Sequence, residues 1–275
     1  MSAFIGKLGR ILSYSPVKVS KRTRAECCRV CSDIRVIMAE SEICLREEGS
    51  VLLVHPDYEK RVTFDWFSPE HWGASAQPVS SGGRGGAWFI DTGRGHVVLR
   101  EYRRGGLVAR ISEQSYVFTR EQDVRSVAEF RLLDRLVAMG LPAPRPVAAW
   151  YRKVSGFLYK AAIIIERLEN TTPLAELIPV LDLADWKDLG ATVRRFHDAG
   201  VNHADLNCFN VLVRGRSYFL IDFDKGRIMP VKAGEKWKAG NLERFARSIR
   251  KVAGNSVLES VWDSFMNGYN GSQSS

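Results

Sequence analysis

The chain is poor in cysteine and in long apolar runs, and it has no acidic residue near its start. Five cysteines in 275 residues are too few for a disulfide scaffold, and the odd count fits a reducing compartment better. Apolar runs stop at the length of Ala161–Ile165. A helix that crosses a bilayer needs about 20 apolar residues, so nothing in the sequence spans. Met1–Arg24 contains Lys7, Arg10, Lys18, Lys21, Arg22 and Arg24 without one carboxylate. Lys7 and Arg10 break its apolar stretches and no small-residue cleavage site follows, so it does not read as a secretory leader. A cytoplasmic protein is expected. No internal repeat is evident.

What is present describes a folded protein. Apolar residues make up 45% and charged residues 26%, ordinary for a globular chain and too apolar for wholesale disorder. At about 150 residues per domain, the length gives one large domain or two lobes. The net charge of +9 favours anionic partners. The basic residues match no nucleic-acid-binding motif, so no nucleic-acid partner is expected, and no obligate protein partner is evident.

At the start, Phe4, Ile5, Leu8, Ile11 and Leu12 recur at helical spacing. They describe either a short basic amphipathic helix on a membrane or a frayed leader. Cys28 and Cys31 have the spacing of half a zinc site, but no second close pair follows. Ser50–Val54 reads as a strand, and the aromatic stretch Phe64–Trp72 reads as packing. Pro78–Gly86 is rich in turn residues, with glycines at 82, 83, 85 and 86. Two short apolar segments, Ala87–Ile90 and His96–Arg100, flank the hairpin turn 91–95. Helical periodicity from Asp123 buries Val127, Phe130, Leu133 and Leu136 and ends at Gly140 and Pro142. Residues 157–168 read as a strand. Thr172-Pro173 reads as a helix start with proline at its first position. Trp186, Leu189, Val193 and Phe196 form a second helical stripe. Val211–Val213 and Tyr218–Phe223 read as a hairpin. Beyond Asp224 the chain is basic and helical in pattern, with nine Lys or Arg and two acids between Lys225 and Lys251. That run is either a membrane-facing surface or an ordinary solvated face.

The order of elements predicts an α+β, bilobal molecule. Residues 1–47 form an N-terminal extension, 48–168 a small β-rich lobe, and 169–275 a larger helical lobe with a loose tail.

The chemistry concentrates in His203-Ala-Asp205-Leu-Asn207-Cys-Phe-Asn210 and Leu220-Ile-Asp222-Phe-Asp224. Phosphoryl transfer needs a carboxylate to orient the attacking hydroxyl and hard oxygen ligands for Mg²⁺. Asp205 and Asn210 share one loop. The intervening hairpin can bring Asp222 to the same metal, with Asp205 displaced toward the acceptor. This resembles the H-x-D-x-x-x-x-N and D-F-x motifs of the protein-kinase-like superfamily. The resemblance implies ATP and Mg²⁺ as cofactors, with Asp205, Asn210 and His203 in the catalytic loop. His203 is the member expected to brace that loop. Arg100 stands where the superfamily has a phosphate-binding lysine, and Glu129 in the following helix is its ion-pair partner. Gly82, Gly83, Gly85 and Gly86 are either a phosphate-covering loop or a plain flexible turn. Glu166 and Leu168 fall at the hinge, where backbone binds adenine. Asp224 is a second metal ligand or a structural turn residue. Asn207 replaces a common catalytic-loop lysine, and no A-P-E segment is recognisable, which favours a compact small-molecule kinase over a regulated protein kinase. A nucleotide-binding protein without activity is the non-enzyme alternative, and retention of Asp205, Asn210 and Asp222 argues against it.

Longer strings are similar to one bacterial family, the 3-deoxy-D-manno-octulosonic acid (Kdo) kinases. They are residues 82–89, Val98–Arg110, Ala128–Leu133, Leu141–Pro146, Asp205-Leu-Asn207 and Leu220–Gly226. The resemblance implies ATP-dependent phosphorylation of O4 of a Kdo residue on Kdo-lipid A, in lipopolysaccharide core synthesis. It also implies a peripheral place on the anionic cytoplasmic face of the inner membrane. Arg103, Arg104, Arg110 and Asn207 become candidate acceptor-binding residues. A heptose kinase or another small-molecule kinase of the same fold is the alternative.

Overall fold

The computed structural model describes residues 42–79, 86–102 and 115–271. The first lobe is built on one antiparallel sheet. Its strands are β1 (Ile43–Glu47), β2 (Ser50–Val54), β3 (Ala76–Pro78), β4 (Ala87–Asp91), β5 (His96–Glu101), β6 (Tyr116–Val117), β7 (Pro146–Ser155) and β8 (Leu158–Glu166). They run in the order β1-β2-β7-β8-β5-β4-β3, with β6 also paired to β8. Two helices belong to this part, the single turn α1 (Pro69–Trp72) and the long α2 (Arg125–Ala138). β2 is apolar without alternation because it is buried on both faces.

Alternation along the other strands separates two cores. Val97 and Leu99 of β5 face an outer cluster with Leu52, Val54, Ile90, Ala162 and Ile164. The segment 56–72 covers that cluster. Phe67 is buried in it, Trp66 and Trp72 pack against it, and their rings meet edge to face at 4.9 Å. The aromatic stretch is therefore packing, as its composition suggested. The opposite face receives α2, whose Val127, Phe130, Leu133 and Leu136 are buried with Leu53, Ala149 and Ile163. Each fully buried side chain of this size stabilises the fold by about 1.5–3 kcal/mol.

The remainder is mostly helical. β9 (Thr172–Pro173) is followed by α3 (Leu174–Leu177), α4 (Leu183–Asp198), β10 (Val201–Asn202), β11 (Val211–Arg214), β12 (Ser217–Leu220), β13 (Arg227–Ile228), α5 (Lys236–Ala253) and α6 (Asn255–Asn270). Asp182 caps α4 by accepting from the Asp185 amide at 2.7 Å, and Asp185 returns the bond to the Asp182 amide. α4 and α6 pack backbone against backbone. A Cβ on Gly190 would strike the Phe265 carbonyl, and one on Gly268 would strike the Lys187 carbonyl.

Three expectations are corrected. Ile43–Glu47 is an edge strand paired with Ser50–Val54, so the sheet begins inside the expected N-terminal extension. Thr172-Pro173 is not helical but bridges Leu212 and Val213, and the helix starts one residue later. The second hairpin strand stops at Leu220, so Asp222 lies beyond it with φ of +64°. The Cys28–Cys31 pair and the amphipathic stretch 4–12 lie outside the described residues.

Candidate active site

The inner face of β5 carries the first half of the site. Strand alternation turns Arg100 away from Leu99's apolar layer and toward α2. Its Nη2 donates to both Glu129 oxygens, at 2.6 and 2.5 Å. Its Nη1 donates to Asp222 Oδ1. One guanidinium thus joins the sheet, α2 and the segment after β12. The Glu129 side chain is 1% exposed. The Tyr102 hydroxyl donates to Glu129 Oε2 at 2.5 Å, so both carboxylate oxygens are satisfied. Burial alone would lower the Arg100 pKa, but the carboxylates of Glu129 and Asp222 outweigh it and raise the pKa above its ordinary value. Burial also pushes the Glu129 carboxyl up, and Arg100 opposes that shift. Burial first, then Glu129, holds the Tyr102 hydroxyl well above the usual tyrosine range, so it remains a donor.

The loop after β10 carries the second half. His203 lies beneath the loop, 2% exposed. Its Nε2 donates to the Ile221 carbonyl at 2.8 Å, and its ring lies 4.5 Å from that of Phe223. Burial lowers its pKa, so the imidazole stays neutral. His203, the catalytic-loop member expected to brace, joins the loop to the segment that leads to Asp222. Asp205 is exposed. Its carbonyl accepts from Asn207 Nδ2 and from Asn210 Nδ2, both at 3.0 Å. Ala204, with φ of +60°, and Asp222 both occupy the left-handed region that non-glycine residues rarely adopt. The Ile221 amide donates to the Asn210 carbonyl at 3.0 Å, which pins the segment that carries Asp222 to the loop.

Asn207 is corrected as an acceptor-binding candidate. Its Oδ1 accepts from the amides of Phe209 and Asn210, and its Nδ2 is the donor to Asp205. Both ends of the side chain therefore hold the loop, as an Asx turn does. Asn210 differs. Its Nδ2 is used, while its Oδ1 accepts no bond among the described residues. Asp222 likewise engages Arg100 through Oδ1 alone. Two hard oxygens are thus left on two segments that the Ile221–Asn210 bond joins. This suits a divalent cation such as Mg²⁺, which takes one or two protein ligands and completes its shell with water and phosphate. Among the described residues, no group of three or more His, Cys, Asp or Glu could hold a metal. A tightly chelating, zinc-type site is therefore not built there.

Asp224, the other candidate metal ligand, is placed elsewhere. Its carboxylate is taken by Arg125 at the start of α2. At the hinge, the Glu166 side chain turns to the outer side of the sheet, where its Oε1 accepts from the Tyr58 hydroxyl at 2.5 Å. The Glu166 amide donates to the Arg145 carbonyl at 2.9 Å. The Leu168 amide makes no hydrogen bond among the described residues, while its carbonyl accepts from Thr171 Oγ1. Gly86 has φ of +122° and accepts from the Glu101 amide at 2.7 Å. Gly82, Gly83, Gly85, Arg103, Arg104 and Arg110 lie outside the described residues. Sequence reasoning missed Tyr102 and Arg125. The only available signal for Arg125 was a cation at a helix start, where the helix dipole disfavours it.

Comparison with known proteins identifies the family. Residues 69–269 match the model of the lipopolysaccharide kinase (Kdo/WaaP) family. A protein of Xanthomonas campestris pv. campestris (strain B100), described as 3-deoxy-D-manno-octulosonic acid kinase, is 48% identical over 71% of this chain and 78% of its own length. One of Stenotrophomonas maltophilia (strain K279a) with the same description is 47% identical over the same shares. Among solved structures, WaaP in complex with acyl carrier protein superposes with a TM-score of 0.51 at 16% identity, covering 80% of this chain and 88% of that one. That likeness shows the kinase-like fold. With the family model covering most of the chain and relatives near half identity, the chain belongs to the lipopolysaccharide kinase (Kdo/WaaP) family.

Proposed function

We propose that this protein transfers the γ-phosphoryl group of Mg·ATP to O4 of a Kdo residue on Kdo-lipid A. The observation that carries the phosphoryl-transfer chemistry is the Glu129–Arg100–Asp222 junction. It fixes a permanent cation and a metal-binding carboxylate opposite the Asp205 loop. The identity of the acceptor rests on the names of the similar proteins and on the sequence strings shared with their family.

Each residue then has a task. Asp205 orients the O4 hydroxyl and accepts its proton as the oxygen attacks the γ-phosphorus. The bond from phosphorus to the bridging oxygen of ADP breaks, and ADP leaves with that electron pair. Asn210 Oδ1 and Asp222 would hold Mg²⁺, which would supply neutralisation of the phosphate charge. Arg100 supplies a permanent positive charge for the phosphates, its guanidinium held in place by Glu129 and Asp222. The backbone at Leu168 donates to the adenine.

The same reading places the protein at the cytoplasmic face of the inner membrane as a peripheral protein. It is supported by the basic run Lys225–Lys251, because each cation near an anionic surface contributes about 1 kcal/mol. Among the described residues, no helix is long and apolar enough to cross a membrane.

The test is incubation with Mg·ATP and Kdo-lipid A, with tandem mass spectrometry of the product. A gain of one phosphate located on the Kdo unit is expected. No gain by folded, ATP-binding protein would overturn the acceptor, and phosphorylation of a heptosylated acceptor instead would identify a heptose kinase. For the membrane reading, salt-sensitive co-sedimentation with phosphatidylglycerol vesicles is expected, and its absence at low salt would contradict it.

A further inference from the structure

The first residue of α2 is a cation at the helix end least suited to one. Backbone amides give that end a partial positive charge. No acidic residue stands in the first turn, and the N-cap Val124 supplies no side-chain bond. Arg125 is nevertheless drawn inward. Its side chain is 23% exposed and lies over the rings of Tyr116, at 4.6 Å, and Tyr102, at 5.4 Å. Its amide donates to the Tyr159 hydroxyl at 3.2 Å. What meets its guanidinium is Asp224, 18% exposed, with Nε facing Oδ1 and Nη2 facing Oδ2. A two-point guanidinium–carboxylate contact of this kind fixes direction as well as distance.

The geometry links this pair to the site. Arg125 and Glu129 are four residues apart on α2, so they lie on one helix face, a turn apart. Asp222 and Asp224 are two apart on the segment that follows β12. The helix is therefore gripped at two levels by one short segment. Asp224 takes Arg125, and Asp222 takes Arg100, which takes Glu129. In the D-F-G form of the motif the third residue is glycine and offers no side chain for the upper grip.

We propose that Arg125 and Asp224 are positioning residues. Their ion pair anchors the start of α2 so that Glu129 meets Arg100, and the Asp224 carboxylate serves the helix and not a metal. The position of α2 is then set within the chain, without a modification or a partner to set it. The activity readout rests on the kinase reading above, and the structural readout does not.

The experiment compares Arg125→Gln, Asp224→Asn, the double variant and the conservative Arg125→Lys. Three quantities are measured: hydrogen exchange of the α2 amides without any acceptor, Mn²⁺ affinity in the presence of ADP by electron paramagnetic resonance, and kcat and KM. Each neutral single variant should exchange faster over the first turns of α2 and lower kcat about tenfold, with Mn²⁺ affinity unchanged. The double variant should be no worse than either single, because one interaction is lost in all three. Arg125→Lys should recover most of the rate. Should Asp224→Asn fail to fold, Arg125→Gln and Arg125→Lys decide the matter through the exchange and rate readouts. Loss of Mn²⁺ binding in Asp224→Asn beside a normal Arg125→Gln would overturn the proposal and make Asp224 a metal ligand. Additive effects, or unaltered exchange in α2, would also overturn it. If wild type leaves Kdo-lipid A unmodified, only the acceptor reading fails, because the exchange and Mn²⁺ results do not depend on it.

Discussion

The two faces of the main sheet use the same strand for opposite purposes. On the outer face, Val97 and Leu99 of β5 enter a dry apolar layer closed by Phe67 and the Trp66–Trp72 pair. On the inner face, Arg100 enters a charge cluster with the buried Glu129 and the part-exposed Asp222. The outer layer is stabilised mainly by apolar burial. The inner cluster is costly to bury, since desolvating charges offsets most of their attraction. Such an arrangement is weak evidence for stability and better evidence for function. The comparison therefore separates residues that hold the lobe together from residues that do its chemistry, although they alternate along one strand.

Variants can break or sharpen that separation. Asp222→Ala should have the largest effect, because it removes a proposed metal ligand and one partner of Arg100. A loss of phosphoryl transfer of roughly a thousandfold is expected, with weaker Mg·ATP binding by calorimetry. Unchanged nucleotide affinity would remove the metal assignment. On the other face, Leu99→Ala should cost about 2–5 kcal/mol of stability through the cavity it leaves. Thermal unfolding would show the loss, while kcat/KM of the folded fraction stays near wild type. A matching loss of turnover would dissolve the contrast between the faces. Glu129→Gln keeps the volume of the side chain and removes its charge. It should reduce kcat/KM by about ten- to a hundredfold, or about 1.4–2.7 kcal/mol, and leave the outer layer intact.

The smallest effect concerns pH and lies away from both faces. His197 on α4 is buried, bonded to the Tyr269 hydroxyl at 2.7 Å and close to Asn241 Nδ2 at 3.3 Å. Burial pulls its pKa down to about 4, whereas the unfolded chain's imidazole titrates near 6.5. Between those values the unfolded state binds the extra proton. The stability contribution is therefore complete above about 6.5, declines as pH falls, and is exhausted below about 4. The decline should be on the order of 1–3 kcal/mol in denaturant titrations. His197→Gln should flatten it, and an unaltered slope would reassign the dependence.

How much of this was readable from sequence depends on where each signal lives. The Asp205–Asn210 loop and Asp222 were legible because their chemistry is carried by spacing along the chain. Arg100 and Glu129 were legible through the resemblance to the protein-kinase-like superfamily, which has a cation on the corresponding strand and its ion-pair partner in the helix that follows. Asn207 was misread because an asparagine that caps its own loop looks, in sequence, like one that contacts a ligand. Tyr102 and Arg125 were invisible as site residues because their partners, Glu129 and Asp224, are 27 and 99 residues away. The edge strand Ile43–Glu47 was missed because its ends are half-exposed and its composition mixed.

The most direct test of the account is Asp205→Ala, measured for Mg·ATP affinity and for phosphate transfer to Kdo-lipid A in one preparation. Asp205 is exposed and its carbonyl, not its carboxylate, holds the loop. The fold and nucleotide affinity should therefore persist while transfer falls by about a hundredfold or more. Near-normal transfer by folded Asp205→Ala would contradict its role as the base and, with it, the reading of the inner face as a phosphoryl-transfer site.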